Sequence, residues 1–354
     1  MPALRGRFGE DEAMASSLMA AETAEAPAAV ARLLAREGAG IAALGRRLAG
    51  MAPPVVVTCA RGSSDHAAHY LKYLLETMLG VPVASMGPSV ASVYATTLRL
   101  RGAVVVVVSQ SGQAPDVRAF QATARAGGAL TVALVNDVSG PIAAEADLVV
   151  PLQAGVEASV AATKSFVASC AAAAALAAAW AGDAALERAL AGLPERLEAA
   201  LGCDWSDAAS LGAAPSAFML GRGPALAIAH EAALKAKEVL GRHAEAFSLA
   251  EVMHGPLQLV RPGFPVLAFV PEDAAMPANR TALARLAEVG GEVMVASQAG
   301  GLPGRWLPAV SCGHAALDPL GMILPFYRLV EGLARGRGLD PDRPSHLMKV
   351  TRTV

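Results

Sequence analysis

Two short stretches hold most of the side chains able to do chemistry. In AVVVVVSQSGQAPDV, residues 103–117, a run of valines ends in Ser109, Gln110 and Ser111. Valines without alternation suit a strand buried on both faces, as in a parallel sheet covered by helices. Small polar residues and glycine past the carboxyl end of such a strand stand where open α/β sheets bind ligands. The residues from Asp116 onward read as a helix, so the loop also lies at a helix N-terminus. Free N–H groups and the helix dipole attract anions there. Ser63 and Ser64, just after CARG, would add hydroxyls from a neighbouring strand, or serve only as a helix N-cap. The pattern fits a phosphate cradle or an ordinary polar strand-to-helix turn. No Lys or Arg lies in SQSGQ, and neither G-x-x-x-x-G-K-[ST] nor G-x-G-x-x-G occurs there, so a sugar phosphate suits the loop better than a nucleotide.

The second stretch is HEAALKAKEVLGRHAEAFSLAEVMHGPLQLV, residues 230–260. Glu231, Lys235 and Glu238 are spaced to share one helix face. For Glu231 the expected reading is a solvated, ion-paired surface. His243, Glu245, Glu251 and His254 follow closely, in a chain with seven histidines. His and Glu are the usual general acids and bases when their pKa values are tuned. A metal site is the rival reading, but the segment has no H-x-x-x-H or H-E-x-x-H spacing, so no metal is expected. Spacing alone does not choose between catalysis and a charged surface.

The elements that must position these residues alternate along the chain. Helices are expected at about 12–36, at 39–49 and, after a strand at 54–60, at 63–79. A strand at 81–86, a helix around 88–97 and the valine strand follow, then a helix and strands at 129–136 and 146–152. Such alternation predicts a doubly wound α/β fold with a mainly parallel sheet in three αβα layers. The second half repeats the plan. Arg61 and Arg222 mark the same strand–Arg–Gly–helix step, an offset of 161 residues (222 minus 61), and the same offset carries the valine strand onto FPVLAFVPED, residues 264–273. Self-similarity at that period implies two copies of one domain. In the second copy SQSG has become VPED, so only the first keeps an anion cradle. The expected divisions are an N-terminal helical segment at 1–36, a first domain at 37–195, a second at 212–337 and a tail at 338–354.

Composition narrows the function classes. The 354 residues are 54% hydrophobic and 17% charged, with a net charge of −2, which offers no footprint for nucleic acid and no basic membrane patch. The longest apolar run, 165–182, is mostly alanine and suits a buried helix packed on a sheet better than a membrane span. The N-terminus has no apolar signal core, and the four cysteines are scattered without C-x-x-C spacing. A reduced, cytoplasmic setting is therefore expected.

Taken as a set, the motifs resemble the sugar isomerase (SIS) family. They resemble in particular the isomerase half of glutamine–fructose-6-phosphate amidotransferase and the stand-alone glucosamine-6-phosphate deaminases of that type. The matching pieces are MAAETAEAP (19–27), ARGSS (60–64), SQSGQAPD (109–116), EASVAATKSF (157–166), HEAALKAKE…HAEAF…AEVMHGP (230–256) and RPSHLMKVTRTV (343–354). The resemblance implies two tandem SIS domains, a homodimer and a small-molecule sugar phosphate as ligand, with no cofactor. It implies that Gly62, Ser64, Ser109, Gln110, Ser111, Ala114, Val160 and Ala162 line the sugar-phosphate site. By the same resemblance Glu238 is the proton-shuttling carboxylate. His254, reaching in from the other subunit, is the ring-opening acid–base, and Lys349 engages the open-chain carbonyl by charge or as a Schiff base. Ala114 and Ala162 stand where the synthase pattern has Thr and Ser, and Gln113 and Arg61-Gly62-Ser63-Ser64 also depart from it. With Met1-Pro2-Ala3 at the start and Cys59 the first cysteine, no glutaminase domain is expected. The expected reaction is therefore deamination of glucosamine 6-phosphate to fructose 6-phosphate and ammonia. A fructosamine-6-phosphate deglycase and a non-catalytic sugar-phosphate sensor are the alternatives.

Overall fold

The computed structural model describes residues 17–349 of the chain, which leaves the start of the expected first helix and the last residues of the tail outside it. Helices α1 (Leu18–Ala24) and α2 (Ala26–Met51) come first. The break between them falls at Glu25, where Pro27 opens α2, and not between the expected helices at 12–36 and 39–49. Pro is favoured at the first positions of a helix, which it starts more readily than it continues. Gly38 and Gly40 lie inside α2 with open space around them. Helix α2 thus runs through the expected division at residue 36.

The first sheet holds β1 (Val56–Cys59), β2 (Val83–Ser85), β3 (Val104–Ser109), β4 (Leu130–Val135) and β5 (Leu148–Pro151), all parallel, in the order β2-β1-β3-β4-β5. Between and after them come α3 (Ser63–Leu79), α4 (Ser89–Ser92), α5 (Pro115–Ala126), α6 (Pro141–Glu145) and α7 (Lys164–Ala181). Helix α4 is one turn, shorter than expected, and the chain beyond it adopts a left-handed conformation at Ala95, φ 49°. Both faces of β3 are buried, which explains its unbroken valines: Val104, Val106 and Val108 face the central core, while Val105 and Val107 face α5 and α6.

Helices α8 (Ala184–Ala191), α9 (Leu193–Leu201) and the short α10 (Ser210–Ala213) lead into the second half. There β6 (Ser216–Gly221), α11 (Pro224–Leu240), β7 (His243–Ser248), β8 (Pro265–Phe269), α12 (Met276–Glu288), β9 (Glu292–Ser297), β10 (Arg305–Pro308) and α13 (Asp318–Gly336) follow. The second parallel sheet runs β10-β9-β8-β6-β7, the order of the first sheet read in reverse. The two halves are therefore copies of one α/β unit. Gly62 and Gly223, at equivalent turns, have matching backbones, φ 55° ψ −134° and φ 59° ψ −137°.

The halves share one apolar core built from α2, α3, α7, α11 and α13 between the sheets, with a smaller core on the outer face of each sheet. The Ala-rich α7 is buried in its centre, and its main partners are α2 and α3 rather than a sheet. Small side chains let these helices approach closely. A Cβ on Gly45 of α2 would stand 2.6 Å from Ala179 Cβ and 2.8 Å from Trp180 N. Gly45→Val should therefore lower the urea midpoint of unfolding by an amount equivalent to about 1–3 kcal/mol, the usual cost of overpacking a tight core. An unchanged midpoint would mean that α2 and α7 do not meet as described.

Candidate active site

A cavity of about 360 Å³ opens at the carboxyl ends of β1 and β3. These strands pair with each other (Val56↔Val104 through Cys59↔Val107), while the chain leaves β1 for β2 on the other side. That is the switch point at which open α/β sheets form ligand crevices. Arg61, Gly62, Ser63 and Ser64 reach the cavity from the β1–α3 turn, and Ser109, Gln110, Ser111 and Ala114 from the β3–α5 loop. Gly62 makes its turn with positive φ, which a side chain would strain.

The loop hydroxyls are already oriented. Ser109 Oγ accepts a hydrogen bond from Gly112 N–H (3.1 Å), and Ser111 Oγ accepts from Gln113 N–H (3.3 Å). Each oxygen used as an acceptor keeps its own hydrogen for an anion in the cavity. Gly112 has φ 66°, and a Cβ there would meet Asp137 O at 2.7 Å, so glycine is required. Ala114 is the N-cap of α5 and provides no side-chain cap. Sequence inspection found no cation in the SQSGQ loop, but the fold supplies one from the next loop. Arg61 lines the cavity with its Nη2 and Nε 2.8 and 2.9 Å from the buried carboxylate of Asp116.

The opposite wall comes from three further segments. Val160 and Ala162 belong to the β5–α7 loop, Glu238 to the last turns of α11, and Leu347, Met348 and Lys349 to the tail. Glu238 is only partly buried and is bonded to the ammonium of Lys235, one helical step back. Lys235 is fully buried, with Glu231 Oε1 3.4 Å away on its other side. Glu231 is also fully buried, which corrects the expected solvated surface. Its carboxylate accepts hydrogen bonds from Ser63 Oγ (3.0 Å) and Tyr327 OH (3.1 Å) and pairs with His66 Nδ1 (2.9 Å). A helical pattern shows that Glu231 and Lys235 share a face, but not that α3 and α13 cover that face.

Burial alone would raise the Glu231 carboxyl, but the Lys235 ammonium and the bonds from His66 and Ser63 outweigh it and hold it below the usual carboxylate range. Burial likewise pulls Lys235 down, and Glu231 and Glu238 reverse this, leaving the ammonium above its ordinary range. Beside this group His66, His69 and His230 stack with centroids 5.7 and 5.8 Å apart. Burial, together with the neighbouring His66 and His69, lowers His230 to about 4.

Ten of the eleven residues expected at the site line the cavity: Glu238, Lys349 and all eight sugar-phosphate positions. His254 does not, since it is exposed after a short 3₁₀ turn beyond β7. His243 and Glu245 point outward from the edge strand β7, and Glu251 is exposed, so this charged run does not gather around the cavity of its own chain. Sequence reasoning gave no role to Glu157. This residue is buried, and its carboxylate is 3.1 Å from Lys349 Nζ. Its only sequence signal was its place in EASVAATKSF.

The pattern of the SIS domain family matches residues 54–179 and 210–298, more than half of the chain. Glutamine–fructose-6-phosphate aminotransferase (isomerizing) from Legionella pneumophila is 34% identical over 312 residues, covering 83% of this chain and 50% of that protein. The chain thus spans about half the length of that relative. A solved structure described as a candidate phosphosugar isomerase from Silicibacter pomeroyi is 46% identical, with a TM-score of 0.88 over 92% of this chain and 100% of that one. Glucosamine-6-phosphate deaminase from Thermotoga maritima has the same fold, with a TM-score of 0.73 at 21% identity over 95% of this chain and 100% of that one.

The buried charges also set an acid limit. Glu231 and Glu157 both lie below the ordinary carboxylate value of 4.5 in the fold. Groups depressed on folding contribute stability that is complete above their unfolded pKa and lost as pH falls through the folded one. Melting temperature should therefore decline as pH drops from about 5 toward 3. Glu231→Gln should cost about 1–3 kcal/mol near neutral pH, because it removes one of the two carboxylates that compensate the buried Lys235 ammonium. A neutral effect of that substitution in denaturant unfolding would refute the described pairing.

Proposed function

The chain belongs to the SIS domain family, and on that premise we propose that the cavity is an aldose–ketose isomerase site for a phosphosugar. We further propose that its reaction is deamination of glucosamine 6-phosphate to fructose 6-phosphate and ammonia. One observation carries the reading: a hydroxyl cradle, a carboxylate and an ammonium face the same 360 Å³ space. A phosphate dianion stripped of water needs several donors. The hydroxyls of Ser64, Ser109 and Ser111 supply them, and the Arg61 guanidinium adds charge.

Across the cavity Glu238 acts on the other end of the open-chain sugar. Its carboxylate takes the proton from C2, giving an enolamine as water donates a proton to the C1 oxygen. Return of the proton at C1 leaves a ketimine at C2, which water hydrolyses to the ketone and ammonia. Negative charge that builds on oxygen in the first step is met by the Lys349 ammonium. None of the four cysteines lines the cavity, and burial pushes Cys59 and Cys312 up to about 12.

We assign ring opening to His254, which is not among the described residues lining the cavity of its own chain. Glu238 also lines a second cavity of about 550 Å³ between the end of α11 and the tail. We propose that the protein forms a homodimer in which His254 of the second copy supplies the ring-opening acid–base group. A second reading has one observation in its favour: Ala114 and Ala162 leave methyl groups on the cavity wall, which makes room for a substituent on the amine, as in a fructosamine 6-phosphate.

Purified protein given glucosamine 6-phosphate should release ammonia and fructose 6-phosphate in equal amounts. Glu238→Gln should lower kcat by about 10²–10⁴-fold, the usual contribution of a general base. Release of free amine from a fructosamine 6-phosphate, with no ammonia from glucosamine 6-phosphate, would replace the deaminase with a deglycase. A thermal shift with sugar phosphate but no turnover of either would leave a sensor.

A further inference from the structure

Lys349 is the last described residue of a tail whose described part holds no helix or strand, yet its side chain is held at two points. Nζ donates to Ser159 O (2.7 Å) and faces Glu157 Oε2 (3.1 Å). Glu157 is itself immobile. Its carboxylate accepts from Thr163 N (3.0 Å), Ser165 N (3.1 Å) and Ser165 Oγ (2.6 Å) at the start of α7. A buried carboxylate anchored on a helix N-terminus by three donors sets the position of whatever cation meets it.

The loop that carries Glu157 is fixed from behind by α1. Glu22 accepts from Ala158 N (2.5 Å) and Ser159 N (3.3 Å). The tail is fixed seven residues before Lys349: Asp342 caps α1 through Leu18 N (2.8 Å) and Met19 N (2.7 Å), and its carbonyl accepts from Val160 N (3.1 Å). A free lysine side chain carries about 2 kcal/mol of rotamer entropy. Tethering at both ends removes most of that cost before any substrate arrives.

We infer that Glu157 is a positioning residue that holds Lys349 over the cavity as a fixed ammonium. In the reaction proposed above, on which this inference rests, the tail lysine then acts by its charge and not as an amine nucleophile. An ammonium beside a buried carboxylate favours the ionised carboxylate. Burial opposes ionisation of Glu157, but Lys349 and the Ser165 and Thr163 donors prevail and hold the carboxyl low. Glu22 on α1, Lys235 on α11 and Tyr327 on α13 are the other titratable groups within its electrostatic reach.

The chain has five lysines, so trace acetylation followed by mass spectrometry can read each one separately. In the wild-type protein, Lys349 should acetylate clearly more slowly than the exposed Lys237 at the same pH, because its Nζ is engaged by Glu157 and by Ser159 O. Glu157→Gln should remove most of that difference and leave Lys237 unchanged. With glucosamine 6-phosphate, the same variant should lose about 10–100-fold in kcat with KM nearly constant, the pattern of a misplaced group rather than a lost binding contact. Wild-type Lys349 labelling as fast as Lys237 would overturn the inference, and this arm needs no folded variant. Borohydride trapping of a sugar on Lys349 would overturn it too. Labelling requires no substrate, so its result stands apart from whether the deaminase assay succeeds.

Discussion

A fully buried ammonium organises this protein. Lys235 has lost its water shell, and a charge in that position is tolerated only when it is paired and hydrogen-bonded. Glu231 and Glu238 compensate it from the same helix, one step on either side. Glu231, also buried, needs donors in turn, and these come from Ser63 and His66 in the first half and Tyr327 on α13. The chain of compensation therefore ties α3, α11 and α13 together and joins the two halves by polar contacts as well as by shared apolar core. Its outer end is Glu238, the carboxylate that faces the cavity.

Duplication followed by division of labour accounts for how the site is assembled. The two sheets have the same strand order, and α3 and α11, the helices that follow equivalent turns, pack against each other across the middle. The backbone at Gly62 and Gly223 has stayed the same while the neighbouring side chains have diverged. Ser63 in the first turn is matched by Pro224 in the second, and the Ser109 position by Val270. The first copy keeps the hydroxyls that line the cavity. The second copy turns its helix inward and provides the ionisable groups. Each half alone presents only part of the cavity.

The chain's two ends complete that cavity together. Asp342 in the tail caps α1, and Glu22 in α1 holds the loop from which Glu157 meets Lys349. The described part of the tail, without secondary structure of its own, thus acquires a defined path from five carboxylate- or carbonyl-centred contacts. Helix α1 is only seven residues long, too short to be stable alone in water, and is kept by these contacts and by its packing on the core.

Much of this was legible in the residues themselves. Strand and helix periods, the unbroken valines of β3, the glycine turns and the 161-residue repeat are local or self-referential patterns, and they led directly to two α/β units with hydroxyls at one sheet edge. The same patterns placed helix breaks less well, because packing against α7 carries α2 through Gly38 and Gly40. The spacing of Glu231, Lys235 and Glu238 was equally visible, yet it pointed to a solvated surface. Which side of a helix meets water depends on segments far away in the chain, here α3 and α13, whose approach has no local signature. Arg61 reaching the cavity, Glu157 meeting Lys349 and His254 lying outside its own chain's cavity are decisions of the same kind. Sequence alone determined the repeated architecture and the chemistry on offer, since both follow from short-range periodicity and residue type. Only the tertiary structure decided which charges are buried, because the cost of burying a charge depends on the partners that folding brings to it.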